Sequence, residues 1–241
     1  MIVKAKTDIG IKRHTNQDDF AILELSDDAC LAVVCDGMGG ANAGNVASKK
    51  ACEAITSFVE RSFRRGLDVG GVTALLQSAI ISANIEIYEM AQKNDDLRGM
   101  GTTVVATFVS KEFTVVSHVG DSRAYIVGED VLQITRDHSV VQSLIESGKL
   151  TPDEARIHPR RNIITRALGI EAEILVDSDE YHLKEGESLL LCSDGLSNFV
   201  NDIEIKEIFS STETEKIAEK LIDTANQNGG GDNITVVTVT M

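Results

Sequence analysis

Apolar residues change period several times along this chain, and each change marks a boundary between predicted elements. Alternation over residues 2–8 predicts an opening strand. Residues 19–25 and 29–35 predict two more, joined by a turn at Ser26-Asp27-Asp28. Gly37, Gly39, Gly40 and Gly44 then break the strand pattern. From Asn45 to about Arg64, the residues Val46, Ala51, Ala54, Ile55, Phe58 and Val59 recur at helical spacing. A second helix is predicted from about Val72 to Gln92, with Leu75, Leu76, Ala79, Ile80, Ala83, Ile87 and Met90 on its buried face. Two long amphipathic helices in succession are expected to pack as a pair. Strand patterns return at 102–109, 113–119, 122–128 and 131–135, spaced closely enough for antiparallel hairpins.

The segment 139–170 differs in character: two short helical pieces (139–147 and 152–157), Pro152 and Pro159, and the basic pair Arg160-Arg161. It reads as a surface insertion or flap, suited to gating access and choosing substrates. Strands resume at 173–182 and 187–193, helices follow at about 201–209 and 213–227, and a Gly-rich turn leads into a last strand at 233–240. No internal repeat is visible. Strand runs and helix pairs are segregated rather than strictly alternating, which argues for an α+β layered sandwich and against a doubly wound parallel sheet.

Composition narrows the class of function. The 241 residues suit one large domain, 1–241, and the 42% apolar content supports a substantial core. A formal net charge of −15 argues against non-specific binding to nucleic acid or to anionic membranes, which need a basic surface. An acidic protein still binds phosphate where metal ions invert the local charge. No apolar run follows Lys4, and no stretch reads as a membrane span, so a cytoplasmic protein is expected. Cys30, Cys35, Cys52 and Cys192 form no Cys-x-x-Cys pair and are expected to be reduced core thiols.

Four places share one grammar, an apolar strand with a carboxylate beside Gly at its end. They are Leu31–Gly40 with Asp36, Val116–Arg123 with Asp121, Leu189–Ser197 with Asp194, and Gly229–Val237 with Asp232. Each alone is an ordinary turn residue or helix cap. Together they suggest a metal centre, because an ionised Asp at a buried strand end is costly unless paired or metal-bound. Oxygen ligands without His or Cys suit hard ions such as Mg²⁺ or Mn²⁺. Arg13, three residues before Asn16 and five before Asp18, has a guanidinium suited to bidentate phosphate binding.

These segments, in this order, resemble the PPM family of metal-dependent protein phosphatases (type 2C), specifically its compact bacterial members. Arg-His-Thr-Asn-Gln-Asp at 13–18 matches the family's opening element. Asp-Gly-Met-Gly-Gly at 36–40, Gly-Thr-Thr at 101–103, Gly-Asp-Ser-Arg at 120–123 and Asp-His-Ser at 137–139 come next. Thr-Arg-Ala-Leu-Gly at 165–169, Ser-Asp-Gly-Leu at 193–196 and Gly-Gly-Gly-Asp-Asn-Ile-Thr at 229–235 complete the set. The resemblance covers essentially the whole chain. It implies a four-layer α-β-β-α sandwich of two mostly antiparallel sheets flanked by helix pairs, which agrees with the periodicity. It further implies a serine/threonine phosphatase with two divalent ions, Mn²⁺ or Mg²⁺. Asp36 would bridge them, Asp194 and Asp232 would complete one, and the Gly37 carbonyl would ligate the other. Water activated there would attack phosphorus in line, with Arg13 holding the phosphate oxygens. Asp18 fits a supporting position that accepts from metal-bound water, and Asn233 one that orients the same water or Asp232. Asp121 with Asp194 would offer a third metal site; a turn residue bonded to its own backbone or to Arg123 is the alternative.

The chain departs from some relatives at Gln17, which supplies no charge where Glu is frequent, and at Met38, where a proton-donating His occurs. Protonation of the leaving group is then expected from water or another group. His138 and His158, on or beside the flap, are more readily read as solvent-facing. The expected partners are phosphoprotein substrates, with a serine/threonine kinase as functional counterpart and a monomer as the default state. Three rival readings remain: a phosphohydrolase of small phosphoesters, a pseudophosphatase that binds without turnover, and a phosphatase of a partner-switching system.

Overall fold

The computed structural model describes residues 1–39 and 43–241; Gly40 of the Asp-Gly-Met-Gly-Gly segment lies outside the described residues. Two antiparallel sheets lie face to face. One has the order β1 (Ile2–Asp8), β11 (Ile234–Thr240), β10 (Ser188–Cys192), β7 (Arg123–Val127), β8 (Val131–Gln133). The other runs β2 (Asp18–Ser26), β3 (Ala29–Met38), β5 (Val104–Ser110), β6 (Thr114–Val119), β9 (Asp177–Tyr181), with the two-residue β4 (Gly101–Thr102) paired to the end of β3.

The near-continuous apolar run of β3 follows from burial on both faces. Leu31, Val33 and Cys35 face α1 (Ala43–Ser62) and α2 (Val69–Lys93), meeting Ala47, Ile55, Leu76 and Ile80. Cys30, Ala32 and Val34 point the other way and meet Ala124, Ile126, Leu189, Leu191, Val237 and Val239 of the facing sheet. The outer face of that sheet carries Tyr125, Leu190, Cys192 and Val236. It packs under α6 (Asp202–Ser211) and α7 (Ile217–Gln227) through Ile205, Ile208, Leu221 and Ile222. Three apolar layers therefore separate four layers of structure, the α-β-β-α sandwich expected from the sequence. Each fully buried Leu or Ile contributes about 1.5–3 kcal/mol. The exposed ion pairs, such as Lys93–Glu89 and Lys216–Glu213, are screened by solvent and contribute little by comparison. All four cysteines are buried and free.

Helix starts are set locally. Asp68 caps α2 by accepting from the Gly71 N–H at 2.8 Å. Asn201 and Glu204 form a reciprocal capping box at the start of α6. The flap contains α3 (Val140–Glu146) and α4 (Pro152–Arg156), and α4 opens on a Thr151–Glu154 capping box. Its base is tied by an antiparallel bridge between Ser139 and Ile164 and another between Thr102 and Leu168.

Several boundaries differ from the sequence expectation. The strand expected over 173–182 is only Asp177–Tyr181; the residues just before it are tied toward α2, and Ile174 and Val176 pack against the core that α2 shares with the β3 sheet. Asn84 donates to the Glu171 and Ala172 carbonyls at 3.0 and 3.2 Å and accepts from the Gly169 N–H at 2.8 Å. The helix expected from 213 begins at Ile217, after a 3₁₀ turn at Thr214–Lys216. A single-turn helix, α5 (Asp194–Ser197), follows β10 and was not anticipated. By length and composition alone α2 is apolar enough to cross a membrane, a test that a core helix also passes. In the fold its Val72, Leu76, Ile80, Ala83 and Ile87 are buried as a core helix against the β3 sheet.

Candidate metal centre

The two sheets present their carboxylates at one shared edge. Asp36 ends the apolar run of β3, and Asp18, at the start of β2, lies directly opposite it in the ladder. Asp194 opens α5 immediately after β10, and Asp232 sits in the turn entering β11. Asp121 lies between β6 and β7. The sequence spreads these residues from 18 to 232, and the fold makes them electrostatic neighbours. The Asp36 carboxyl is held well above the usual range by burial first, then by Asp18, Asp194, Asp121 and Asp232. Burial and the neighbouring carboxylates push Asp18 and Asp121 each up to about 7. Asp194 is pushed up to about 6 by burial and by Asp232, although a hydrogen bond with Asp36 opposes the rise.

So many carboxyls, Asp18 buried and Asp36, Asp121, Asp194 and Asp232 half-buried, cannot all ionise together without a countercharge. Two oxygens, Asp18 Oδ1 and Asp194 Oδ1, are buried with no hydrogen-bond partner. An orphaned carboxylate oxygen is expensive in a folded protein and asks for a cation or an ion's water shell. The donor set is all oxygen, which fits Mn²⁺ or Mg²⁺ rather than zinc.

The scaffold around these groups is rigid. The Asp36 N–H donates to Thr103 Oγ1 at 3.0 Å, and its carbonyl accepts from the Thr103 N–H and from Thr102 Oγ1, both at 2.9 Å. The Gly37 N–H donates to the Gln17 carbonyl at 3.1 Å. The backbones of Gly37 and Gly44 approach so closely that a Cβ on Gly37 would fall 2.1 Å from the Gly44 carbonyl oxygen. The glycine of Asp-Gly is thus needed for this approach of α1 to the end of β3. Ser193 Oγ donates to Asp18 Oδ2 at 2.6 Å, fixing one oxygen and leaving the other for the centre.

At the outer rim, the half-exposed Arg13 donates from Nη2 to Asp232 Oδ2 at 2.7 Å. Asn233 holds the segment that carries Arg13. Its Oδ1 accepts from the Gln17 N–H at 2.8 Å, and its Nδ2 donates to the Ile9 and Thr15 carbonyls at 2.9 and 3.0 Å. Only the backbone N–H of Asn233 reaches Asp232, at Oδ1 and 2.8 Å. Asp121 is set in the turn between β6 and β7, its backbone N–H close enough to its own carboxyl to oppose slightly the rise in its pKa. Arg123 turns instead to Asp137, with Nε at 3.0 and 3.1 Å and Nη2 at 2.7 Å, and to the Tyr125 hydroxyl.

The pattern of the family described as Protein phosphatase 2C matches residues 11–232, from the segment bearing Arg13 through Asp232. The chain belongs to that family. Among relatives of this phosphatase 2C chain, the serine/threonine phosphatase stp of Listeria innocua serovar 6a is 40% identical over 241 residues. That alignment covers 99% of this chain and 95% of the relative. The protein phosphatase PhpP of Streptococcus pneumoniae is 36% identical over 244 residues, covering 100% of this chain and 98% of the other. Among solved structures, serine/threonine phosphatase Stp1 from Staphylococcus aureus superposes with a TM-score of 0.94 at 36% identity, covering 99% of this chain and 94% of that one. The catalytic domain of the serine/threonine phosphatase PstP in complex with two manganese ions gives a TM-score of 0.85 at 34% identity, with 98% and 96% coverage.

Two features escaped sequence reasoning. His138 is buried rather than solvent-facing, because Asp-His-Ser runs underneath the flap; His158 is half-buried. The Asp137–Arg123 clamp joins two motifs that had been read apart. Charge complementarity between Asp-His-Ser and Gly-Asp-Ser-Arg was the available signal.

Proposed function

We propose that this chain hydrolyses phosphoserine and phosphothreonine in proteins with the help of two divalent ions, Mn²⁺ or Mg²⁺. Asp36, Asp194, Asp232 and the Gly37 carbonyl would hold them, and Asp121 with Asp194 would hold a third. The observation that carries this reading is the cluster of buried and half-buried carboxylates, with buried, orphaned Asp18 and Asp194 oxygens, beside the exposed guanidinium of Arg13. Bound there, such ions supply Lewis acidity and a water acidic enough to act as nucleophile near neutral pH.

The chain's own residues supply the rest. Arg13, tethered to Asp232, presents further N–H donors to non-bridging phosphate oxygens and offsets charge as the phosphoryl group transfers. Asp18, gripped by Ser193 through one oxygen, directs the other at the centre as an acceptor that orients water. Asn233 keeps the Arg13 segment folded over the rim. Met38 has no proton to give, and His138 has its Nε2 beside Asp177, so the leaving oxygen takes its proton from water. The flap about 139–170 lies next to the centre through the Thr102–Leu168 bridge and would select substrates. We read residues 1–241 as one catalytic domain, a cytoplasmic monomer opposing a serine/threonine kinase.

The test is phosphate release from phosphoserine, phosphothreonine and phosphotyrosine peptides and from nucleotides, with Mn²⁺ and with EDTA. Metal-dependent turnover of phosphoserine and phosphothreonine above the other two is expected. Preferential turnover of nucleotides would favour a small-molecule hydrolase. No turnover together with no divalent-ion binding would remove the enzyme reading.

A further inference from the structure

Below the flap, a polar cavity of about 120 Å³ is lined by Arg136, His138, Glu146, Arg166 and Asp177 among others. His118 and His138 stack there with ring centroids 4.9 Å apart and planes 14° from parallel. With Asp177 they stand close enough to hold a metal ion. The hydrogen bonds exclude that use. The Gly120 N–H donates to His138 Nδ1 at 3.0 Å, so Nδ1 is an acceptor and the neutral ring carries its proton on Nε2. Nε2 lies 3.2 Å from both Asp177 Oδ2 and Arg166 Nη1; with Nδ1 already an acceptor, Nε2 carries the ring proton and donates to the carboxylate, and Arg166 spends its N–H on Asp177. A metal at Nε2 would need a ring stripped of both protons. The place is also already served by a cation, since Arg166 Nη1 donates to Asp177 Oδ1 at 2.7 Å. Burial lowers the His138 pKa against the pull of Asp177, which favours the neutral ring.

That tautomer has a consequence at the metal centre. His138 grips Gly120 twice: its own N–H donates to the Gly120 carbonyl at 2.9 Å while Nδ1 accepts the Gly120 N–H. Gly120 immediately precedes Asp121. On the other side, Ser122 Oγ is hydrogen-bonded to Thr103 Oγ1 at 2.6 Å, and Arg123 is clamped by Asp137. His138 also reaches the flap, since its carbonyl accepts from the Thr165 N–H at 2.8 Å and the next residue, Ser139, caps α3.

We propose that His138 is a positioning residue for Asp121: the unprotonated Nδ1, oriented by Asp177 and Arg166, fixes the Gly120 peptide and so aims the Asp121 carboxylate at the metal centre. The inference rests on the proposed role of Asp121 as a metal ligand, and the experiment separates the two. Mn²⁺ binding is measured by calorimetry on the full chain and on three variants, with thermal unfolding as a check of the fold. Asp121→Asn is expected to abolish the weakest class of Mn²⁺ site. His138→Asn places an oxygen close to the position of Nδ1 and is expected to retain that class. His138→Gln leaves the Gly120 N–H unpaired and is expected to weaken it about 10-fold or more, the tighter sites being unchanged. If Asp121→Asn binds Mn²⁺ like the wild type, the metal role of Asp121 fails, and the inference with it. If Asp121→Asn loses the class while His138→Gln keeps it, the inference alone is overturned. Nitrogen-15 NMR of labelled histidine in the wild-type protein decides independently of any variant's folding. A protonated Nε2 with bare Nδ1 supports the proposal, and a protonated Nδ1 overturns it.

Discussion

Replacing Asp18 with Asn removes one charge from the carboxylate cluster at nearly constant volume, and it should make the metal-free protein more stable. Asp18 is almost wholly buried, and its carboxyl is pushed from 3.8 up to about 7, chiefly by desolvation. Because the folded pKa is raised, the native state binds more protons than the unfolded chain between these values, and stability falls as pH rises through that window. The cost is absent below pH 3.8 and complete above about pH 7. At about 1.4 kcal/mol per pH unit it reaches on the order of 4 kcal/mol. Neighbouring carboxyls share protons with Asp18, so effects are not additive, and roughly half, about 2 kcal/mol, should appear as gain in the variant. The new amide can still accept from Ser193 and can donate where Asp18 Oδ1 now has no partner. For a chain of this size, that gain raises Tm by about 4–8 °C. The assay is thermal unfolding followed by circular dichroism at pH 8 and pH 5, in EDTA and in excess Mn²⁺. The gain should shrink at pH 5, where most of the cost is already absent. It should vanish or reverse in Mn²⁺, which neutralises the wild-type cluster and binds the variant less tightly. A variant no more stable than wild type at pH 8 in EDTA, or a gain indifferent to pH, would refute the reasoning.

Asp36→Asn should lower kcat/KM by more than about 10³-fold while keeping a native circular dichroism spectrum, because charge is lost at the centre but volume is kept; retained turnover would contradict the role given to Asp36. Asp137→Ala leaves the Arg123 guanidinium without its carboxylate in a largely buried place and should destabilise the fold by about 3 kcal/mol in urea unfolding, whereas Asp137→Asn should cost less. Gly10→Ala would put a Cβ 2.1 Å from the Asp232 carbonyl oxygen at a backbone φ of +78°. It should displace the segment carrying Arg13, raising KM for phosphopeptides more than it lowers Tm, as steady-state kinetics beside a melting curve would reveal.

Much of the fold was legible because its signals are local. The run Ala29–Cys35 reads as a strand, since the Ser26-Asp27-Asp28 turn and the glycines from Gly37 bound it and it is too short for a long helix. The two long helices declare themselves by the spacing of Ala51, Ile55, Leu76 and Ile80. The convergence of carboxylates was legible for another reason: Asp36, Asp121, Asp194 and Asp232 each stand where an apolar strand meets a glycine, a pattern that survives without knowing which strands pair. Boundaries failed where long-range hydrogen bonds override propensity. Asn84 draws residues 169–172 to α2, and that contact cannot be seen from the apolar alternation of 173–182.

The sequence by itself determined the layer type, the order of the chemical segments and the oxygen-rich character of the site, because burial periodicity and strand-end chemistry are properties of short stretches. Only the tertiary structure decided which groups meet. It set Asp18 opposite Asp36 and brought Asp194 close enough to Asp36 for each to shift the other's charge. It also committed the Asn233 side chain to the Arg13 segment and placed His138 against Gly120. Those relations join residues as many as 224 positions apart. They depend on strand register and on where a backbone N–H points, and neither is fixed until two sheets and four layers close around their cores.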